Sequence, residues 1–253
     1  RKEVLHLYEN AIELILHGLN LHRDQVFSTN DVAALVRKSR SPVELDIGEG
    51  YERHVKTLYA AIVEFTTRAG DKRLAPEIAD RVYAMRDVAS DIVQAVKSVK
   101  HLRKNILRYT IRPQNVVTEL YDGLRTEIAR IVVQIRKLGM AAPEDRSALW
   151  LDQERARIEE DARSTSKRVD ALIRSGELSA VAATSFMNDS GYAYGAMRDL
   201  IKVARSYYIE RDSAMAELES LLSLDEEELD EAMTDPRNKS GSDVSEKTIT
   251  RPS

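Results

Sequence analysis

Cysteine is absent from this chain, so disulfide frameworks, thiolate zinc sites and cysteine nucleophiles are excluded by inventory, and a reducing compartment is compatible with it. Glycine (10) and proline (6) are scarce among 253 residues and aromatics amount to 6%, so little interrupts regular structure and few rings are available for stacking on bases. Long apolar runs are missing too. The longest stretch free of Asp, Glu, Lys and Arg is Leu178–Asn188, well short of the roughly 20 apolar residues a bilayer-spanning helix needs. No Gly-rich phosphate loop, Gly-x-Ser-x-Gly elbow or His-Glu-x-x-His pair occurs, and Glu3 to His6 is the single Glu-x-x-His match where di-iron bundles use two. These absences point away from an enzyme. The formal net charge of -4, with only Tyr109 beside the main basic block, points away from nucleic acid as well.

What remains is a composition rich in Ala, Leu, Ile, Val, Glu, Arg and Lys, with 32% charged residues, which is that of long amphipathic helices. Val4, Tyr8, Ala11, Ile12, Ile15 and Leu19 predict a helix over about Glu3–Leu21 with an unusually wide apolar face. That face, together with a first residue other than Met, fits a piece of a longer chain. Ser28, Thr29, Asn30 and Asp31 offer N-cap chemistry for a short helix through Val36, and Ser39–Gly50 reads as a loop.

Tyr51, Val55, Leu58, Ile62, Phe65 and Ala69 carry the next stripe to Gly70. Pro76 opens a helix to about Tyr109, and Val117, Leu120, Leu124, Ile128, Ile131, Ile135 and Leu138 form another before Gly139 and Pro143. A more charged segment follows to Arg174, then a last long helix over about Ser179–Leu222. The expectation is an all-α, elongated antiparallel helical bundle over 1–223, with two three-helix units split near Pro113 as a finer description. Residues 224–253 read as an acidic cluster followed by a disordered tail.

Candidate contact residues come from charge pattern. From Ile92 to Thr118 the chain carries Lys97, Lys100, Arg103, Lys104, Arg108 and Arg112 without one Asp or Glu. At 100° per residue Lys97, Lys100, His101, Lys104 and Arg108 share an arc opposite the apolar stripe, so one face can pack while the other meets phosphate, an acidic surface or charged lipid; a solvated helix face accounts for the same pattern. Asp87 and Asp91, one turn apart, have the spacing to share a divalent metal, as do Glu9 and Glu13 with His17 a turn beyond; solvated or salt-bridged roles compete with that reading. Asn188 and Asp189 sit in a small-residue helix and are expected to be buried cross-links between helices.

Four strings, Lys2-Glu3-Val4-Leu5-His6-Leu7-Tyr8-Glu9-Asn10-Ala11, Leu58-Tyr59-Ala60-Ala61-Ile62-Val63-Glu64-Phe65, Val96-Lys97-Ser98-Val99-Lys100-His101-Leu102-Arg103-Lys104-Asn105 and Ala183-Thr184-Ser185-Phe186-Met187-Asn188-Asp189-Ser190, resemble in number and order the cytoplasmic PhoU-like region of bacterial sodium/phosphate cotransporters. The resemblance spans most of Arg1–Leu222. It implies a PhoU-like bundle on the cytoplasmic side of the cell membrane, regulating sodium-dependent phosphate transport, with 1–22 as a juxtamembrane helix. Implied partners are a transporter membrane domain, phosphate or anionic lipid, and a second copy of the chain. A free-standing phosphate-signalling adaptor of the same kind is the alternative, and a metal-dependent helical-bundle enzyme a third. PhoU proteins hold metal clusters on acidic Glu/Asp-x-x-x-Asp motifs, whereas Lys97 and His101 stand here where such a motif would be expected. No cofactor is therefore implied with certainty; a divalent metal stays open.

Overall fold

Proline and capping residues set the frame of the fold. The computed structural model describes residues 2–44, 46–70 and 76–209; the acidic cluster and tail expected over 224–253, and the part of the last helix expected beyond 209, lie outside the described residues. No strand occurs among the described residues, so the all-α helical bundle is borne out.

The first helix, α1 (Lys2–Gly18), ends where Asn20 takes a left-handed conformation (φ 60°) that asparagine tolerates better than most residues. Two short helices follow, α2 (Arg23–Ser28) and α3 (Val32–Lys38), the latter capped by the Asp31 carboxylate accepting from Ala34 N at 2.9 Å. The segment read as a loop to Gly50 already turns helical at α4 (Ile47–Gly50), because Asp46 accepts from Glu49 N at 3.0 Å and nucleates a turn. It runs on through π-helical turns at Tyr51–Lys56 into α5 (Thr57–Gly70). The long rods are α6 (Pro76–Thr110), α7 (Val116–Met140), α8 (Ala148–Arg174) and α9 (Ala180–Ala204). Asn115 caps α7 by accepting from Thr118 N, and Ser179 caps α9 by accepting from Ala182 N.

Named contacts fix the directions of these rods. Asn105, His101 and Asp91 on α6 meet Asp189, Tyr192 and Lys202 on α9 in turn, so the two helices run antiparallel along the most extensive seam of the fold. Arg103 on α6 donates to His17 O at the end of α1, and Gly18 lies against Val99. α7 returns from α6 with Tyr109 stacked on Tyr121, and α8 runs back along α7 through Arg157–Glu127 and Arg168–Glu119. Helices α1, α5 and α6 thus pack on the N-terminal side of Pro113 and α7, α8 and α9 on the other, joined mainly by α6 on α9.

The wide apolar face of α1 has an internal explanation. Val4, Leu7, Ala11, Ile12, Leu14, Ile15, Leu16 and Leu19 are all buried, because α6, α5, α4 and α2 surround the helix. Each fully buried Leu or Ile contributes about 1.5–3 kcal/mol relative to exposure, so the bundle itself selects for that width. The face therefore gives no support to 1–22 as a juxtamembrane helix.

Candidate functional site

The absence of acidic residues between Ile92 and Thr118 gives α6 its one-signed outer face. Ile92, Val96, Val99, Leu102 and Ile106 are buried, while Lys97, Lys100, His101, Lys104 and Arg108 all emerge exposed on the other side. The four cations of this row make no ion pair with any described residue. Their nearest attachments are aromatic: Lys100 Nζ lies 5.2 Å from the Tyr51 ring centroid and the Arg108 guanidinium 5.4 Å from that of Tyr109. His101 stacks on Tyr192 of α9 at 4.7 Å and 17°. The structure thus brings the five predicted contact residues onto one surface.

Arg103 turns the other way. Its guanidinium donates to His17 O at 2.7 Å and Val43 O at 3.0 Å, closing the end of α1, and burial draws its pKa down while Asp46 opposes the shift. It belongs to the packing of the fold.

Asp87 and Asp91 lie near the middle of α6, on the N-terminal side of the basic row. Asp91 is half-buried and faces Lys202 Nζ at 3.9 Å, with Asp199 3.8 Å from the same ammonium. Burial raises the pKa of both Asp91 and Asp199, with Asp87 adding to the shift at Asp91, Asp91 adding to that at Asp199, and Lys202 opposing at both. Among the described residues no group of three His, Asp or Glu is placed to hold a metal ion, and at this pair the positive charge comes from a lysine. The Glu9, Glu13 and His17 series is broken up in the same way: Glu9 pairs with Arg23, Glu13 is exposed, and burial lowers the pKa of His17.

The expectation for Asn188 and Asp189 needs one correction. Asn188 is exposed, since it points about 100° away from Asp189 and falls outside the arc of α9 that faces the core. Asp189 is the buried one, accepting from Tyr121 Oη at 2.6 Å and Asn105 Nδ2 at 2.8 Å, so it links α9 to α7 and α6. Burial and this bond push the Tyr121 phenol far above its ordinary range.

A second polar centre went unread in the sequence. Arg125 is fully buried and donates to Leu19 O (2.7 Å), Asn20 O (3.3 Å), Val36 O (3.2 Å) and Ser39 O (3.2 Å), as well as to Asp122 Oδ1 (2.8 Å). Asp122 also receives a two-pronged contact from Arg40 at 3.1 and 2.6 Å. One guanidinium thus satisfies carbonyls left over where α1 and α3 end. Burial lowers its pKa and Asp122 counters. A signal was present: Tyr121, Arg125, Ile128 and Val132 share a stripe, and Arg125 occupies a core position in it.

A cleft of about 460 Å³ opens between α7 and α8, lined among others by Gly123, Glu127, Asp161, Thr165, Arg168 and Tyr194. Its carboxylates are already engaged, Glu127 by Arg130 and Arg157 and Asp161 by Arg157. The outer face of α6 carries four cations without an ion-pair partner among the described residues, and it can hold anions by electrostatics and hydrogen bonding. No family model, curated protein or solved structure matches the chain.

Proposed function

We propose that this chain is a cytosolic regulatory bundle of a sodium-dependent phosphate transporter, a binding and control module whose contact surface is the basic row of α6. The observation that carries the reading is that Lys97, Lys100, Lys104 and Arg108 project together without an ion-pair partner among the described residues, in a chain of net charge -4. The four strings resembling the cytoplasmic region of such transporters support the setting. In this reading helix rearrangement against a membrane domain gates phosphate movement, and the row supplies the anion-sensitive contact. Radiolabelled phosphate uptake in cells lacking the gene, restored with the wild-type gene or with one encoding Lys97→Glu, Lys104→Glu and Arg108→Glu, tests it. A sodium-dependent flux that changes with the triple variant is expected; fluxes identical in all three strains refute the reading.

A free-standing phosphate-signalling adaptor is the second reading. It draws support from the closed packing of α1, whose apolar residues all find partners inside the bundle except the half-exposed Leu5. A pull-down that retains a kinase or a phosphate importer, with flux unaffected, favours the adaptor.

A further inference from the structure

The basic row does not stand alone, because α9 lies beside it and adds a second helix surface on which no carboxylate is exposed. Along α9 the exposed positions are Ala180, Val181, Thr184, Met187, Asn188, Gly191, Arg198 and Lys202, none of them acidic, while Asp189 is turned inward. The Tyr192–His101 stack holds the two helices side by side there. The carboxylate-free surface therefore spans two antiparallel helices rather than one stripe. At its Pro113 end it carries projecting aliphatic groups, Val181 at 80% and Ile111 at 49% exposure, next to the exposed Arg112. Gly191 keeps the middle flat, with no atom within 4 Å of where a Cβ would stand.

The spacing of the charges separates two kinds of anion. From Lys97 to Arg108 the cations are spread over about 16 Å of helix, one per turn, whereas a single phosphate ion is held by donors that converge on one point. A row of separated cations beside protruding aliphatic side chains matches an extended anionic surface with an apolar layer beneath it. We infer that the α6/α9 face docks on bilayers containing anionic lipid, the cations meeting headgroup phosphates and Val181 and Ile111 entering the interface. The inference rests on the reading above for its setting. Acidic residues bound the face at its edges: Asp46 at the N-cap of α4, Glu49 on α4, paired with Arg53 at 3.6 Å, the exposed Glu177 just ahead of α9, and Asp91 and Asp199 around Lys202.

Flotation of the full chain with phosphatidylcholine vesicles, and with the same vesicles containing phosphatidylglycerol, is the test. At least about tenfold stronger binding to the anionic vesicles is expected, since each cation near such a surface adds to the attraction. That advantage falls on going from roughly 10 to roughly 150 mM salt, which shortens the Debye length from about 30 to about 8 Å. Lys97→Glu with Lys104→Glu and Arg108→Glu abolishes the preference, and Val181→Asp weakens binding, each with an unchanged thermal melt. Equal binding to both vesicles, or a preference surviving the triple variant, overturns the inference. Displacement from vesicles by inorganic phosphate at matched ionic strength overturns it too and assigns the face to the free ion; a dimer lost in the triple variant, without vesicle affinity, assigns it to a second copy. If vesicle binding fails while phosphate flux still responds to the triple variant, only the lipid surface falls. If flux is indifferent while vesicle binding holds, only the transporter reading falls.

Discussion

Replacing Arg125 by methionine removes one side chain and leaves five acceptors behind. Methionine fills a similar volume, so the cost falls on polar groups rather than on a cavity. The carbonyls of Leu19, Asn20, Val36 and Ser39 lose their guanidinium donor, while Asp122 keeps Arg40. A buried group left without its partner costs about 1–3 kcal/mol, and breaking a buried charge pair by removing one member costs about 3–5 kcal/mol. Because backbone carbonyls at helix ends can recover part of this by admitting water, we take about 4 kcal/mol for the whole change. For a folded unit of this size that corresponds to a melting temperature lowered by about 8–16 °C. Arg125→Lys recovers only part of the loss, because an ammonium is a point charge and cannot span carbonyls from two helix ends. The exposed Arg37 serves as the control, Arg37→Met changing stability by no more than about 0.5 kcal/mol. Thermal melts followed by far-UV circular dichroism measure all three. A drop below about 4 °C for Arg125→Met would refute the claim that this guanidinium ties α1 and α3 to α7.

Other expectations concern glycines, the buried carboxylate and pH. A Cβ on Gly18 would stand 2.5 Å from Val99 Cγ1, so Gly18→Ala destabilises by about 1–3 kcal/mol, whereas Gly123→Ala meets nothing within 4 Å and stabilises α7 by about 0.5–1 kcal/mol; urea midpoints of the same sign would contradict this. Tyr121→Phe deprives Asp189 of its shortest hydrogen bond and costs about 1–3 kcal/mol, measured by urea unfolding, with no loss predicted to fail the argument. Burial holds the pKa of His17 below its ordinary 6.5, with His22 and Arg103 acting the same way and Glu13 opposing. The unfolded chain then takes up this proton first on acidification, so stability is complete above about pH 6.5 and falls as pH drops toward the folded value. His17→Gln flattens the slope of stability against pH between about 5 and 6.5, and an unchanged slope rules out this histidine as its source.

The long rods were legible in the sequence because their stripes are strict and their ends are punctuated. Pro76 and Pro113 bracket α6, and Pro113 and Gly139 bracket α7, to within three residues of the observed limits. The short elements were not. α2 buries only Val26, too little to leave a period, and the α4 turn depends on the Asp46 cap inside a stretch interrupted by Pro42, Gly48 and Gly50. The basic row of α6 could be read because every neighbour in sequence agrees in sign. Arg125 stands at a core position of a legible stripe, but the carbonyls that satisfy it could not be read, since they come from where α1 and α3 end over it, some 86 to 106 positions away along the chain.

The position of α9 bears on how the chain is made. It is the last rod described, yet α6, α7 and α8 all lean on it. Until roughly Ala204 has left the ribosome, Tyr121 lacks Phe186 and Asp189, Asn105 lacks Asp189 and His101 lacks Tyr192, and a nascent chain stopped after α8 would present the uncovered surface to chaperones or to other chains. Truncation from the C-terminal side therefore strikes at assembly as a whole, and a library of shortened forms should switch abruptly from insoluble to soluble once α9 is complete.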